Sequence, residues 1–549
     1  MKINQNRQNQ NYNKYPQKQN QNFTGAFEVI SSGLRFLDTN QAWGANAVDL
    51  GSMVIPRSCV DTVNRGPEAG AETAFRESTG TANHSLIGVY GTGAGMGLAY
   101  LFNKQYGIRA DKIFADNTTT DIMAKHYQQA RSSSDDKATF IRKYTDELAE
   151  SLHFFNTDAG TEDGLVKLSK ETKEEFSKAL SDKLINGESE VIDEPFQKYL
   201  HSLLTSDTGA EKKIVLKGFE QESELSAKTL ISNMYNLSKT FMSEKVDKVF
   251  TETKDIDANS FIKGIKKLNV QRSVVGLGIA AGIGSSVQPI NMYMSKKRTG
   301  SDGFVGVKGR KKDNSTEFKM LKAGAAATFA LGILATITTN PKKFLSKIQF
   351  QGMTPTMNQL KLVYGTTIAS RLLCARDKDE LRESSVKDTL GFANLLILGA
   401  LVTKGSARAM DKSLINVTEK GKKNAMSWLT NSTLKTRDEI LFESLKKKGI
   451  ETVKDGKAIP FKELIKSADK TTKSKLNKLN ISQAIGYVYS GLVLGVALPK
   501  LNIWMTNKSE EKRQAKMKLE NTNGQNTALN KSEELMLQAE NLEFLSKFM

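Results

Sequence analysis

The chain has 549 residues, too many for one compact core, so two or more folded units are expected. An apolar fraction of 39% and a mean hydropathy of -0.41 exclude a chain that lies mostly within a membrane, but allow a few spans. The net charge of +19 suits an anionic membrane surface or nucleic acid. Because the two cysteines, Cys59 and Cys374, are far apart and no histidine has a His or Cys at metal-ligand spacing, we expect no disulfide, metal or cofactor.

The N-terminal part contains no long apolar run. Residues 1–22 are mostly Asn, Gln, Lys, Tyr and Arg, which predicts a disordered leader without the apolar core of a signal peptide. Residues 23–83 predict short helices and turns, with a clear break at residues 64–67.

Five uncharged runs then follow, and we name them A to E in chain order. A spanning helix needs about 20 residues. Runs A, B and E are long enough, run C is marginal, and run D predicts a short span, a re-entrant segment or a buried core helix. The runs hold 26 residues (A, 78–103), 23 (B, 273–295), 19 (C, 323–341), 15 (D, 389–403) and 21 (E, 479–499).

The remaining segments are polar. Residues 104–272 predict an inserted soluble helical domain, with an apolar stripe over residues 161–187, and residues 404–478 predict a basic soluble helical segment. The fold class expected is therefore all-α, a multi-pass helical membrane protein with 4–5 apolar helices and an inserted domain. The alternative is a large soluble protein in which these helices are buried. The membrane parts are predicted as helix A over 84–103, helices B, C and short D with basic loops over 273–403, helix E over 479–506, and a polar helical tail over 507–549.

Glycines recur within the apolar runs. Gly91, Gly93 and Gly97 fit a variant of the dinucleotide fingerprint, with Asp111 about 20 residues further on, but no buried strand precedes Asp111. The helical interpretation is that glycines four residues apart form packing surfaces, where two backbones approach closely. The candidates for helix packing are Gly91 with Gly95, Gly93 with Gly97, Gly278 with Gly282, and Gly491 with Gly495.

Basic and aromatic residues flank the runs. Residues 296–322 hold the densest basic cluster, Lys308, Arg310, Lys311 and Lys312, which a cytoplasmic loop or anionic-lipid contact would explain. Nucleic acid is not expected, because aromatic residues for base stacking are nearly absent there. Tyr293 and Trp504 lie where a membrane interface would be.

Two short patterns suggest a duplication. Runs B and E both end in Pro, Asn, an apolar residue, an aromatic residue, Met and a hydroxyl, and an Arg-Glu-Ser triplet precedes both run A and run D. If all five runs span, the charge distribution places residues 104–272 outside, and residues 296–322 and 404–478 together on the cytoplasmic side. The repeat would then be inverted, as in several transporter folds.

Three segments carry a resemblance to a known group. They are residues 22–25 (Asn-Phe-Thr-Gly) after the Asn/Gln-rich leader, residues 43–49, and residues 375–383. They resemble uncharacterised multi-pass membrane proteins of gut-associated bacteria. The resemblance implies the inner membrane of a bacterium, and it implies no site or activity.

The function expected is non-catalytic, a structural or envelope-interaction role, because no catalytic arrangement is recognisable. The partners expected are the lipid bilayer, anionic lipids, and a second copy or an envelope protein. A transporter or channel is the alternative, but it would need ionisable groups within the spans, and the runs contain no Asp, Glu, Lys or Arg. A nucleotide-binding enzyme, through the loop of Gly91 to Gly97, is a further alternative.

Overall fold

The computed structural model of the protein describes residues 24–39, 41–155, 165–208, 214–253, 255–307, 309–417, 419–454 and 456–522. The expected leader (1–22), Lys308 and the tail from residue 523 lie outside these residues. Within them the chain is mostly helical, as expected, and four helices are long and apolar enough to cross a membrane. The α-helices are α1 Thr24–Thr39, α2 Gln41–Val48, α3 Ile55–Arg65, α4 Pro67–Tyr106, α5 Asn117–Ser133, α6 Lys137–Glu150, α7 Lys170–Asn186, α8 Glu194–Thr208, α9 Ala227–Phe241, α10 Glu244–Glu252, α11 Ser260–Thr299, α12 Thr316–Ile337, α13 Phe344–Lys347, α14 Met357–Cys374, α15 Lys378–Ala393, α16 Gly399–Met410, α17 Ala425–Thr430, α18 Arg437–Lys447, α19 Phe461–Ser467, α20 Lys470–Ser490 and α21 Leu498–Thr522.

Three π-helical turns join pairs of these helices into longer rods. Asp49–Val54 joins α2 to α3, Asn394–Leu398 joins α15 to α16, and Gly491–Ala497 joins α20 to α21. Run D therefore lies inside a rod that extends from Lys378 to Met410, well beyond its uncharged part. Run A lies inside α4, which begins at Pro67, directly after the predicted break at Gly66.

The long helices form an antiparallel bundle with two distinct ends. At one end, the beginnings of α4 and α15 meet the ends of α11 and α14: the Asn291 side chain donates to the Glu72 carbonyl, and the Asp313 amide donates to the Arg376 carbonyl. We call this the charged end. At the opposite end, the domain end, α4 leads into one folded domain and α16 leads into another.

Helix α14 is a long helix of the bundle that the sequence did not predict. Lys361 and Arg371 interrupt its apolar residues, so a search for uncharged runs passes over it. It runs antiparallel to α12, because the Lys361 ammonium donates to the Thr336 carbonyl near the domain end and the Lys322 ammonium to the Ala375 carbonyl near the charged end. Helix α14 therefore returns the chain from the domain end to the charged end before α15 begins.

The larger domain, residues 107–259, is not purely helical. It contains a four-stranded antiparallel sheet in the order β2-β1-β3-β4. Of the predicted apolar stripe, Phe176, Leu180 and Leu184 are buried on α7, but Leu165 lies in β2 and Leu168 between β2 and α7. The strands are β1 Leu152–Phe155, β2 Leu165–Lys167, β3 Ile214–Gly218 and β4 Gln221–Leu225.

The smaller domain, residues 411–469, packs beside the larger one. The Lys446 ammonium lies 3.1 Å from a carboxylate oxygen of Asp207, on α8 of the larger domain. The expectation that residues 104–272 and 404–478 lie on opposite faces is therefore wrong, because α14 adds a crossing between them. The strands of this domain are β5 Ile415–Val417, β6 Ser432–Leu434, β7 Val453–Lys454 and β8 Lys457–Ala458, which pair as two antiparallel hairpins.

The bundle contains the same arrangement twice, in a first copy that includes α3, α4 and α11 and in a second copy that includes α14, α15 and α21. In the first copy, Asn291 and Ser295 of α11 bind the backbone carbonyl and the carboxylate of Glu72. In the second copy, Asn502 and Thr506 of α21 bind the carbonyl and the carboxylate of Glu383 in the same way. At constant spacing, Glu72, Arg76, Glu77, Gly80, Ala82, Asn83 and Gly88 correspond to Glu383, Lys387, Asp388, Gly391, Ala393, Asn394 and Gly399.

The two copies are parallel and not inverted, since α4 and α15 both begin at the charged end. The sequence paired the triplet at Glu77 with the triplet at Glu383, whereas the structure pairs Glu72 with Glu383. The expected inversion is wrong for the same reason as the expected topology. The sequence did not predict α14, so the number of helices between the two copies was one too few.

Candidate functional site

Two ion pairs cross between the copies at the charged end. Arg65 of the first copy binds Glu383 of the second through both guanidinium nitrogens, one of them at 2.9 Å. Arg376 of the second copy binds Glu72 of the first at 2.6 Å, and it also binds Glu380. We call these two contacts the reciprocal ion pairs. Because both are buried, each carboxylate depends on the arginine of the other copy for its compensation.

A second buried group of charges lies deeper in the bundle, and we call it the polar centre. Four cationic side chains approach Glu77, which lies one and a half turns along α4 from Glu72. Their distances to its carboxylate oxygens are 3.2 Å for Arg76, 3.4 Å for Arg371, 3.6 Å for Lys387 and 3.7 Å for Arg57.

A matched pair of glycines lies beside two of these cations. A Cβ at Gly80 would lie 3.5 Å from Arg371, and a Cβ at Gly391, the equivalent position, would lie 3.7 Å from Arg57. Arg371 also binds Asp388 at 3.2 Å, the residue equivalent to Glu77. Each copy thus places a glycine beside an arginine of the other, and the polar centre belongs to the interface between copies.

Asp49 and His84 extend the polar centre toward the middle of the bundle. His84 Nδ1 lies 3.8 Å from a carboxylate oxygen of Asp49, a distance too long for a direct hydrogen bond. The imidazole stacks on the Tyr364 ring, with 3.7 Å between centroids. Asp49 lies on the π-helical turn before α3, a geometry that often marks functional positions.

The polar centre surrounds a small cavity of about 30 Å³, enough for one or two water molecules. Several buried atoms at its edge have no hydrogen-bond partner among the described residues, although an unpaired buried polar atom is costly. These atoms are Asp49 Oδ1, Arg57 Nη2, both ring nitrogens of His84, the Tyr364 hydroxyl, Arg371 Nε and Asp388 Oδ2.

The predicted packing glycines divide into two groups. A Cβ at Gly91 would meet the Phe350 ring, one at Gly95 the Arg272 guanidinium, and one at Gly495 the backbone of Ser52, so these positions lie in tight contacts. At Gly491 the nearest atom is 3.8 Å away. For the outward positions Gly93, Gly97, Gly278 and Gly282 the space within 4 Å is open in the described part of the chain.

The close contact between α4 and α11 uses a different glycine. A Cβ at Gly276 would lie 2.8 Å from the Cα of Gly91, so the two backbones meet there. The predicted contact through Gly278 and Gly282 is not made among the residues that the structure describes. The dinucleotide interpretation is also wrong, since Gly91, Gly93 and Gly97 lie in the interior of α4 with no strand or turn before them.

The basic cluster near residue 310 contains both paired and exposed cations. Arg310 is buried and binds Asp377 at 2.9 Å, Asp379 at 2.5 Å and Glu510 at 3.0 Å, so the prediction of a lipid contact is wrong for Arg310. Burial alone would lower the pKa of Arg310, but hydrogen bonds to Asp377 and Asp379 raise it. Lys311 and Lys312 are exposed, while Lys308 lies outside the described residues.

Both predicted interface aromatics are exposed, Tyr293 at 69% and Trp504 at 58%. They occupy equivalent positions, each two residues after the asparagine that binds Glu72 or Glu383.

Sequence analysis missed the polar centre because its residues are far apart in the chain, between Asp49 and Asp388. The available signal was the alignment of residues 72–88 with residues 383–399, where charge, Gly and Asn recur in register. No protein-family model, curated protein or solved structure matches this chain.

Proposed function

We propose that this chain is an integral membrane protein, with the helical bundle in the bilayer and both folded domains on one side. The observation that carries the proposal is the exposure of the apolar helices. In their most apolar windows only 28% (α4), 39% (α11), 17% (α12) and 33% (α20 to α21) of the residues are buried. Core helices of a soluble protein would bury these residues within the chain.

The exposed residues extend over a suitable height. On α11 they reach from Val274 to Tyr293, a rise of about 28 Å, close to the hydrocarbon thickness of a bilayer. Carbonate washing of membranes from expressing cells tests the location. We expect the protein to stay in the pellet, and release into the wash would contradict membrane insertion.

Within the membrane, we propose that the polar centre lets protons cross the bundle, which places the protein in the transporter or channel class. Ionisable groups inside a membrane are costly and are usually functional. The sequence counted against this class because the uncharged runs hold no Asp, Glu, Lys or Arg. In the folded chain, Asp49, Arg57, Arg371 and Asp388 come from neighbouring helices.

Proton flux into liposomes is the direct test. The purified protein is reconstituted with a pH-sensitive dye inside, and a pH step is applied at a voltage fixed with potassium and valinomycin. We expect wild type to equilibrate faster than empty liposomes, and Asp49→Asn and His84→Gln to reduce the rate about tenfold or more. Glu194→Gln, an exposed carboxylate in the larger domain, is the control.

A structural role is the second candidate, favoured by the small size of the cavity and the mutual compensation of its charges. In that case the reciprocal ion pairs and the polar centre hold two copies together, and the exposed lysines contact anionic lipids or an envelope protein. Wild-type flux equal to that of empty liposomes would reject the transport proposal and leave this one.

A further inference from the structure

Three side chains of the larger domain meet in an arrangement that no motif predicted. Ser151 Oγ lies 2.9 Å from His126 Nε2, and His126 Nδ1 lies 3.2 Å from a carboxylate oxygen of Glu147. Ser151 directly follows α6, one helical turn after Glu147, while His126 comes from α5. This is the chain of contacts by which hydrolases activate a serine: nucleophile, base, and the carboxylate that orients the base.

The carboxylate decides which imidazole nitrogen carries the proton. Because Glu147 accepts a hydrogen bond, the neutral imidazole places its proton on Nδ1 and leaves the Nε2 lone pair facing the Ser151 hydroxyl. Burial lowers the pKa of His126, although the hydrogen bond to Glu147 raises it. The Ser151 hydroxyl also lies 2.8 Å from the Glu147 carbonyl, so its proton is shared between two acceptors.

The two-residue turn between β3 and β4 covers the histidine. Phe219 and Glu220 connect β3 to β4 with φ values of 53° and 61°, which side chains other than glycine rarely adopt. The Phe219 ring lies 4.8 Å from the imidazole centroid, and a Cβ at Gly218 would lie only 3.1 Å from His126 Nε2. This is the geometry that a two-residue β-hairpin turn requires, and it places the Phe219 ring against the imidazole.

The three residues line an open cleft of about 700 Å³. The charged groups around His126 there are mostly acidic: the lining residues include five carboxylates and two lysines, with Phe219 as the apolar contact. Such a lining attracts positively charged compounds. The charged residues are Asp146, Glu147, Glu150, Glu220, Glu222, Lys167 and Lys217.

We propose that Ser151, His126 and Glu147 form a hydrolytic site for esters or amides that carry a positive charge near the scissile carbonyl. Ser151 Oγ forms a bond to the carbonyl carbon while its proton passes to His126 Nε2. That proton then leaves with the departing alcohol or amine, as its bond to the carbonyl carbon breaks. Water next attacks the acyl-serine, giving one proton to His126, and the proton returns to Ser151 as the carboxylic acid departs.

Labelling of the purified full-length protein with a fluorophosphonate probe tests the nucleophile. We expect Ser151 to be labelled, and Ser151→Ala and His126→Gln to remove the label. Ser132→Ala is the matched control, because Ser132 makes the same hydrogen bond to a carbonyl four residues earlier without a histidine beside it. An Nα-acetyl arginine ethyl ester should be hydrolysed about tenfold faster than the Nα-acetyl ethyl ester of an uncharged amino acid.

Glu147→Gln tests the positioning role. Loss of the carboxylate should slow labelling at pH 7 about tenfold and move the inflection of the rate against pH to lower pH, because the imidazolium loses its partner. A purely structural role would not move the inflection. The proposal is overturned if folded wild-type protein is not labelled, or if labelling persists in Ser151→Ala. If wild-type protein is not labelled and Ser151→Ala is less stable than wild type, the role of Ser151 is only to stabilise the end of α6.

Discussion

Removing one partner of a reciprocal ion pair should destabilise the bundle far more than removing a surface ion pair. In Arg65→Ala, Glu383 keeps its contact with Thr506 but loses both guanidinium bonds, and it is only 8% exposed. Breaking a buried pair in this way costs about 3–5 kcal/mol. Arg376→Ala should have a similar effect, since Glu72 then keeps only Ser295 and the more distant Arg76.

Thermal unfolding in mild detergent, followed by loss of the monodisperse peak, measures the difference. Lys198→Ala is the matched control, because its partner Glu194 lies on an exposed helix face, where solvent screens the ion pair and its contribution to stability is small. The exchange Arg65→Glu with Glu383→Arg should recover part of the loss. If Arg65→Ala unfolds at the same temperature as Lys198→Ala, the reciprocal pairs do not hold the copies together.

Further predictions concern packing, backbone compensation and pH. Gly276→Leu should prevent folding, because even a Cβ would lie 2.8 Å from the Cα of Gly91. Gly278→Leu, which faces open space, should leave the unfolding temperature unchanged, and equal effects of the two variants would contradict the contact. Pro289 cannot donate a hydrogen bond to the Ser285 carbonyl, and the Ser370 hydroxyl donates to it instead at 2.6 Å. Ser370→Ala should therefore lower the free energy of unfolding by about 1–3 kcal/mol, and an unchanged thermal transition would refute this. Burial lowers the pKa of His201 to about 4, so the unfolded state takes up a proton first as the pH falls. The free energy of unfolding should therefore fall as the pH drops from about 6.5 toward 4. Denaturant titrations at pH 7 and 5 should show this loss in wild type and a smaller loss in His201→Gln.

The sequence predicted the elements whose signal is local. Runs A, B and E lie inside α4, α11 and the α20–α21 rod, because an uncharged stretch of spanning length is visible without any knowledge of partners. Most of run C lies in α12, which ends at Ile337, before the end of the run. It did not predict α14, since Arg371 looks like a loop residue until Glu77 and Asp388 are known to surround it. The sheet was missed because its strands have only 3–5 residues and no regular alternation over a longer stretch.

The two candidate sites were missed for a related reason. Glu77 and Asp388 are joined through Arg371, and His126 meets Ser151 across two helices, so neither site leaves a motif of fixed spacing. The sequence did contain a trace of the duplication, in the patterns around Asn291 and Asn502. Its register was wrong, because the triplets Arg-Glu-Ser match by chance while Glu72 and Glu383 share their contacts.

The arrangement of two parallel copies, with both domains on one side of the membrane, is tested most directly by cysteine accessibility. Cys59 and Cys374 are the only cysteines and can be replaced by serine. Single cysteines are then placed at three exposed positions: Glu190 in the larger domain, Lys457 in the smaller domain and Lys311 at the charged end. An impermeant maleimide is applied to intact cells or sealed vesicles. We expect Glu190→Cys and Lys457→Cys to be both labelled or both protected, and Lys311→Cys to show the opposite result. Opposite labelling of Glu190→Cys and Lys457→Cys would contradict the parallel arrangement.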